Sequence, residues 1–214
     1  MFLAVASVTA CSRIIDDELP PPPTPAATAL YRVTFEATWS ATTHPGSYPA
    51  GAHFSPLMGA SHPAQFRLFR VGSLAGTGIK NMAELGNNTA LRAEINGLIG
   101  QGKALRLLDG RSATASPGTL TDTIRLSTAH PALSVVTMIA PSPDWFAALD
   151  GEELLENGQT WAISRRVPAV FYDAGTDSGG SYTAADQPTS PPEALRVVQT
   201  ALPPVGYFRL ERIN

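Results

Sequence analysis

From Tyr31 to Ser40 the chain alternates without a break between apolar and polar side chains. Tyr31, Val33, Phe35, Ala37 and Trp39 fall on one side, and Arg32, Thr34, Glu36, Thr38 and Ser40 on the other. Successive side chains of an extended strand point to opposite faces, so this run reads as a strand with one face in a core and one in water. A helix would scatter the same residues around its axis. A second run repeats the pattern: Leu120, Ile124 and Leu126 alternate with Thr121, Thr123, Arg125 and Ser127. Residues 133–140 are apolar and β-branched with little alternation, which suits a strand covered on both faces. Further strands are expected at 65–71, 105–108, 160–167 and 207–213.

Helical periodicity is sparse. Leu91, Ile95, Leu98 and Ile99 share one helical face, with Asn88 or Thr89 to cap the start and Gly100 to end it. A second helical turn is expected within 142–155. Charged residues are only 15% of the chain, and 18 Gly and 19 Pro supply many turns. Many strands, abundant turn residues and no strand–helix–strand rhythm predict an all-β, antiparallel β-sandwich with one or two short helices. The net charge of −3 excludes the basic footprint of a nucleic-acid binder.

The amino terminus reads as an address. Residues Met1 to Ala10 are mostly apolar or small, and Val8-Thr9-Ala10-Cys11 resembles a bacterial lipobox. Cys11 would then carry acyl chains, and several acyl chains anchor a protein stably where one does not. The basic segment expected ahead of such a core would precede Met1. Ser12 after the cysteine favours the outer membrane or cell surface of a bacterial envelope by the same resemblance. Cys11 is the sole cysteine, so no intrachain disulfide forms. Pro20 to Pro23 and Pro25 make a stiff spacer. The expected organisation is a signal segment over 1–11, a Pro-rich linker over 12–28 and a folded domain over 29–214.

Three sets of residues carry a family resemblance. The first is Thr38-Trp39-Ser40, Thr43-His44-Pro45, Tyr48-Pro49 and the run Ala52 to His62. The second is Met82-Ala83-Glu84-Leu85-Gly86. The third joins Met138-Ile139-Ala140-Pro141-Ser142-Pro143-Asp144-Trp145 to Asp173-Ala174-Gly175-Thr176-Asp177-Ser178-Gly179. In order and spacing they resemble the spondin N-terminal domain over about 31–192. The resemblance implies an eight-stranded antiparallel sandwich similar to calcium-dependent membrane-targeting modules. It implies a calcium site at Asp144, Asp173 and Asp177, and a secreted adhesion role. The family's cysteines are absent here, and its animal partners do not transfer.

The residues themselves allow that chemistry. Calcium takes about six to eight oxygen ligands, and three carboxylates with loop carbonyls and water supply them. A short glycine-containing link lets Asp173 and Asp177 face one point. Without a cation, three converging carboxylates would repel. The same aspartates are also common turn formers. Glu84 and Asp150 are possible extra ligands. His44, His53 and His62 could hold zinc, but nine-residue gaps give no short-spaced pair. Thr176-Asp177-Ser178-Gly179-Gly180 resembles a serine-protease nucleophile segment, with His130 as its base, although the His-to-Ser interval is too short for two β-barrels. The expected function is an extracytoplasmic calcium-binding recognition module on a lipid anchor, not an enzyme. Its partner would be a protein or glycan at the calcium-loop end. The alternatives are a hydrolase using Ser178 and His130, or a structural envelope protein.

Overall fold

A computed structural model describes residues 24–46, 48–198 and 203–214. Cys11 and the Pro20–Pro23 run lie outside the described residues. In chain order the elements begin with β1 (Thr28–Ala37), β2 (His53–Phe54) and β3 (Met58–His62). Two helices follow, α1 (Thr77–Leu85) and α2 (Thr89–Gly100). Next come β4 (Arg106–Asp109), β5 (Thr114–Ala115), β6 (Gly118–Ser127), β7 (Ala132–Ala140) and β8 (Trp145–Glu153). The chain continues through β9 (Leu155–Glu156), β10 (Thr160–Trp161) and β11 (Ser164–Pro168). It ends with β12 (Val170–Asp173), β13 (Arg196–Val197) and β14 (Gly206–Arg212).

Every named pairing is antiparallel. One sheet has the order β11-β14-β1-β6. The other runs β13-β12-β8-β7, where β2 and β3 share the far edge of β7 and lead on to β5 and β4. β1 fulfils its alternation: Tyr31, Val33, Phe35 and Ala37 are buried, and Arg32 is exposed. β7 is buried along eight of its nine residues, as its unbroken apolar run requires.

Two apolar clusters flank the second sheet. Between the sheets lie Phe35, Phe54, Leu133, Val135 and Phe208. The Phe35 ring sits 4.8 Å from Phe54 and 5.0 Å from Phe208. On the opposite face Met58, Val136 and Phe146 meet Ile79 and Met82 of α1 and Leu91 of α2. The molecule is therefore a sandwich with two helices over one outer face.

Two glycines permit close approaches. The β7–β8 register shifts between Leu133 and Val135, and the Ser134 carbonyl then presses on β3 at Gly59, where any Cβ would collide with it. At Gly78, a Cβ would come within 2.7 Å of Leu91 Cα, so this glycine sets how closely α1 meets α2.

Four local expectations are corrected. Residues 65–71 form turns and no strand; Phe69 instead packs edge-on against Phe146 and Tyr172. The helical turn expected within 142–155 is strand β8, because pairing with β7 and β12 overrides the helix preference of Ala147, Ala148 and Leu149. The expected strand at 160–167 divides into β10 and β11, which belong to different sheets. Helix α1 was not expected at all.

Candidate functional site

The Pro141-Ser142-Pro143 loop leaves β7 and delivers Asp144 just before β8. Trp145 then pairs with Asp173 at the end of β12, and Ala174 N–H donates to the Asp144 carbonyl at 3.2 Å. This pairing brings Asp144 beside a loop 30 residues later in the chain. Gly175 bends that loop with φ +74; a side chain there would also strike the Glu193 carbonyl. The returning strand is held by Ser178 N–H to Gln187 O and Thr189 N–H to Thr176 O, both 2.9 Å.

Asp144 is completely buried. Its Oδ2 accepts from Thr176 N–H at 2.7 Å, Asp177 N–H at 3.1 Å and Thr176 Oγ1 at 3.3 Å. Its Oδ1 is also buried and has no partner among the described residues. Burial pushes the carboxyl above the usual carboxylate range. The N–H donors of Thr176 and Asp177 oppose that shift, and the nearby charge of Asp173 adds to it.

Asp173 Oδ1 accepts from Gly175 N–H at 2.8 Å, and its Oδ2 takes the Arg196 guanidinium at 2.7 Å. Asp177 Oδ1 accepts from Gly179 N–H and Oδ2 from Gln187 N–H, each at 2.7 Å. Asp173 and Asp177 thus each shape an Asx turn with the N–H two residues on, while Asp144 bridges across to their loop. As they are placed, no three acidic, histidine or cysteine side chains among the described residues stand together as an ion cage.

Aromatic rings wedge this end of the molecule. Tyr182 lies between Trp39 at 4.8 Å and Trp145 at 5.0 Å, and burial raises its hydroxyl to about 12. The loop carrying Asp177 is thereby pinned to the sandwich.

The remaining candidates separate. Glu84 pairs with Lys80 at 3.9 Å and lines a cleft shared with Tyr182. Asp150 lies further along β8, near Arg67 at 3.8 Å and Ser134 Oγ at 3.4 Å. The three histidines bond elsewhere: His44 to Thr43, His53 to the Gly51 carbonyl and His62 to Ser134. Ser178 Oγ donates to the Gln187 carbonyl, while His130 Nδ1 meets Ser127 Oγ, so the structure does not join them into a nucleophile–base pair.

The Spondin_N family matches residues 29–205. The chain belongs to the spondin N-terminal domain family. Spondin-1 of Homo sapiens is 34% identical over 192 residues, covering 85% of this chain and 23% of that protein. Spondin-1 of Gallus gallus is 33% identical over the same coverage. Spondin-2 of Homo sapiens is 32% identical over 197 residues, covering 88% of this chain and 58% of that protein. The chain therefore spans less than two thirds of these relatives. All three aspartates lie inside the matched spondin region. No helix among the described residues of this spondin domain is long and apolar enough to cross a membrane.

Proposed function

We propose that this spondin domain is an extracytoplasmic recognition and adhesion module whose loop end binds calcium through Asp144, Asp173 and Asp177. One observation carries the reading: a fully buried carboxylate, Asp144, keeps one oxygen without a donor among the described residues. Leaving a buried charged group unsatisfied costs a few kcal/mol, and such groups ordinarily have a partner. The three candidate side chains suit a hard cation, since they are all carboxylates and none is sulfur or imidazole. Asp173 and Asp177 already use their oxygens on N–H groups and on Arg196, but carboxylate oxygens retain a second lone pair. The half-exposed Arg196 side chain can leave Asp173 without breaking the core.

Calcium would supply positive charge for the three carboxylates to close upon and so tie the 141–144 loop to the 174–190 loop. Tyr182 and Trp145 then hold a stiff surface for a protein or glycan partner. We propose further that a lipid on Cys11 tethers the domain to a bacterial envelope, with the Pro-rich segment as spacer.

Calorimetric calcium titration tests the metal. The chain should take up one calcium, and Asp144→Asn and Asp173→Asn should abolish the heat. At a hundredfold excess over its Kd, calcium should add about 2.7 kcal/mol of stability. Equal uptake by all three chains removes the assignment. For the anchor, Cys11→Ser should move the protein from the membrane fraction to the soluble one; unchanged partition refutes it.

A further inference from the structure

The residues ahead of β1 are held at one end of the sandwich. Trp161 Nε1 donates to the Ala26 carbonyl at 2.8 Å, and Thr128 N–H to the Ala27 carbonyl at 3.1 Å. The chain therefore enters the domain beside Trp161. Three neighbouring strands, β11, β14 and β1, end or begin here. Ile163, just before β11, accepts Arg212 N–H through its carbonyl at 2.9 Å. Ile213, just after β14, donates its N–H to the Leu30 carbonyl of β1 at 2.9 Å.

Ile163 is 75% exposed and Ile213 39%. A single exposed apolar side chain needs no explanation. These two lie on adjacent strand ends, at the place where the chain enters. Charge does not account for this end. Arg165 pairs with Glu156 at 2.7 Å and Glu152 at 3.8 Å, and Arg32 with Glu211 at 3.9 Å. Arg125 and Arg212 are set against Glu153, so little net charge remains.

β1 carries the chain from this end to the other. Its ten residues span about 33 Å. Two residues beyond it, Trp39 packs on Tyr182, which packs on Trp145 beside Asp144. The entry of the chain and the aspartate loops are thus at opposite ends. Residues 12–23 separate Cys11 from the described chain and, fully extended, reach roughly 40 Å. A lipid on Cys11 would keep the entry end within that distance of a bilayer. A contact made on such a tether is intramolecular and needs no high affinity of its own. Exposed isoleucines favour the apolar part of what the tether brings near.

We propose that the Ile163–Ile213 end rests on the lipid surface to which the chain is tethered. The two isoleucines enter the boundary between headgroups and acyl chains. The aspartate loops then face away from that surface, and their partner is met from outside and not beside the anchor. The proposal rests on the lipid at Cys11 proposed above and adds how the domain stands on it.

Hydrogen exchange tests it in a chain whose tether is supplied chemically. Cys11 is the sole cysteine, so a maleimide-headed lipid couples there alone and fixes the full chain to phosphatidylcholine vesicles. The reference is the chain capped with N-ethylmaleimide beside the same vesicles. Coupling should slow exchange over 161–165 and 211–214 by at least about threefold and leave 177–187 unchanged. The double variant Ile163→Ser, Ile213→Ser changes only exposed side chains. It should melt as the parent does and lose that protection. Salt or added phosphatidylglycerol should alter the protection little, since charge makes no part of the contact. The proposal fails if coupling protects neither segment, if 177–187 is protected instead, or if protection requires phosphatidylglycerol. It fails equally if the serine variant is protected as the parent is. Because the lipid is supplied, these results stand apart from the Cys11→Ser fractionation, which alone judges lipidation in cells.

Discussion

The second sheet is packed from two sides, and the two sides are built differently. Towards the first sheet, β7 and β8 present Leu133, Val135 and Leu149 to an aromatic layer around Phe35, Phe54 and Phe208. Towards the helices, the same strands carry Ser134, Val136 and Phe146, with His62 on β3 sealed among them. The inter-sheet layer is mostly apolar, and its polar groups reach separately for backbone carbonyls, as the Tyr31 hydroxyl does for Ala162. The helix layer buries polar groups that must find each other: His62 Nε2 lies 2.8 Å from Ser134 Oγ, and Ser134 Oγ accepts from Gly151 N–H at 2.9 Å. Asp173 leads directly into this second layer through Ala174. The helix layer therefore depends on a connected polar network as well as on packing.

The largest predicted effects separate the layers. Phe35→Ala removes a ring from the centre of the inter-sheet core and should cost about 3–5 kcal/mol in denaturant unfolding. It should lower protection across β1, β14 and β7 together. Met82→Ala, under the helices, should cost about 2–5 kcal/mol, with extra hydrogen exchange concentrated in α1 and α2. Equal loss of protection everywhere in both variants would mean that the two layers open as one unit.

That asymmetry also explains what the sequence discloses. β1, β6, β7 and β14 are legible because a strand between two sheets, or between a sheet and water, writes its burial directly as period two or as an apolar run. The helix layer is written more faintly. α1 carries its buried Ile79, Met82 and Ala83 within nine residues and places Gly78 in its first turn, too short a pattern to outweigh a loop. β8 reads as helix because its alanines and leucine favour one; only β7 and β12, distant in sequence, make it a strand. Asp144, Asp173 and Asp177 were legible through a family likeness, and the structure brings their loops together. Arg196, which neutralises Asp173, was not, since nothing local joins residues 23 apart. Asn88 looked like a helix cap. Its side chain caps nothing and donates through Nδ2 to the Pro56 carbonyl at 3.1 Å, a contact the local sequence does not announce.

The smallest effect tests the polar layer by its response to acid. Burial lowers the His62 pKa; the Pro63 carbonyl opposes that shift, and the charges of Arg67 and His130 add to it. Asp150 faces the same network through Ser134. With a folded pKa below the ordinary value of about 6.5, native His62 stays neutral while the unfolded chain takes up a proton. Near neutral pH and above, neither state is protonated and nothing is lost. As pH falls below about 6.5, the unfolded state gains protons that the native state refuses, and stability drops by at most about 1.4 kcal/mol per pH unit. The loss ends once the folded pKa is passed. His44, in the loop after β1, is also lowered by burial and acts in the same direction. Asp144 and Asp150, raised by burial, act oppositely. Denaturation of the parent and of His62→Gln at a series of pH values isolates the His62 share. Gln can still bond to Ser134 and cannot titrate, so the variant should lose less stability than the parent on acidification. Parallel pH curves would show that His62 takes up its proton in the folded state, and that the helix layer is no more sensitive to acid than the aromatic layer behind it.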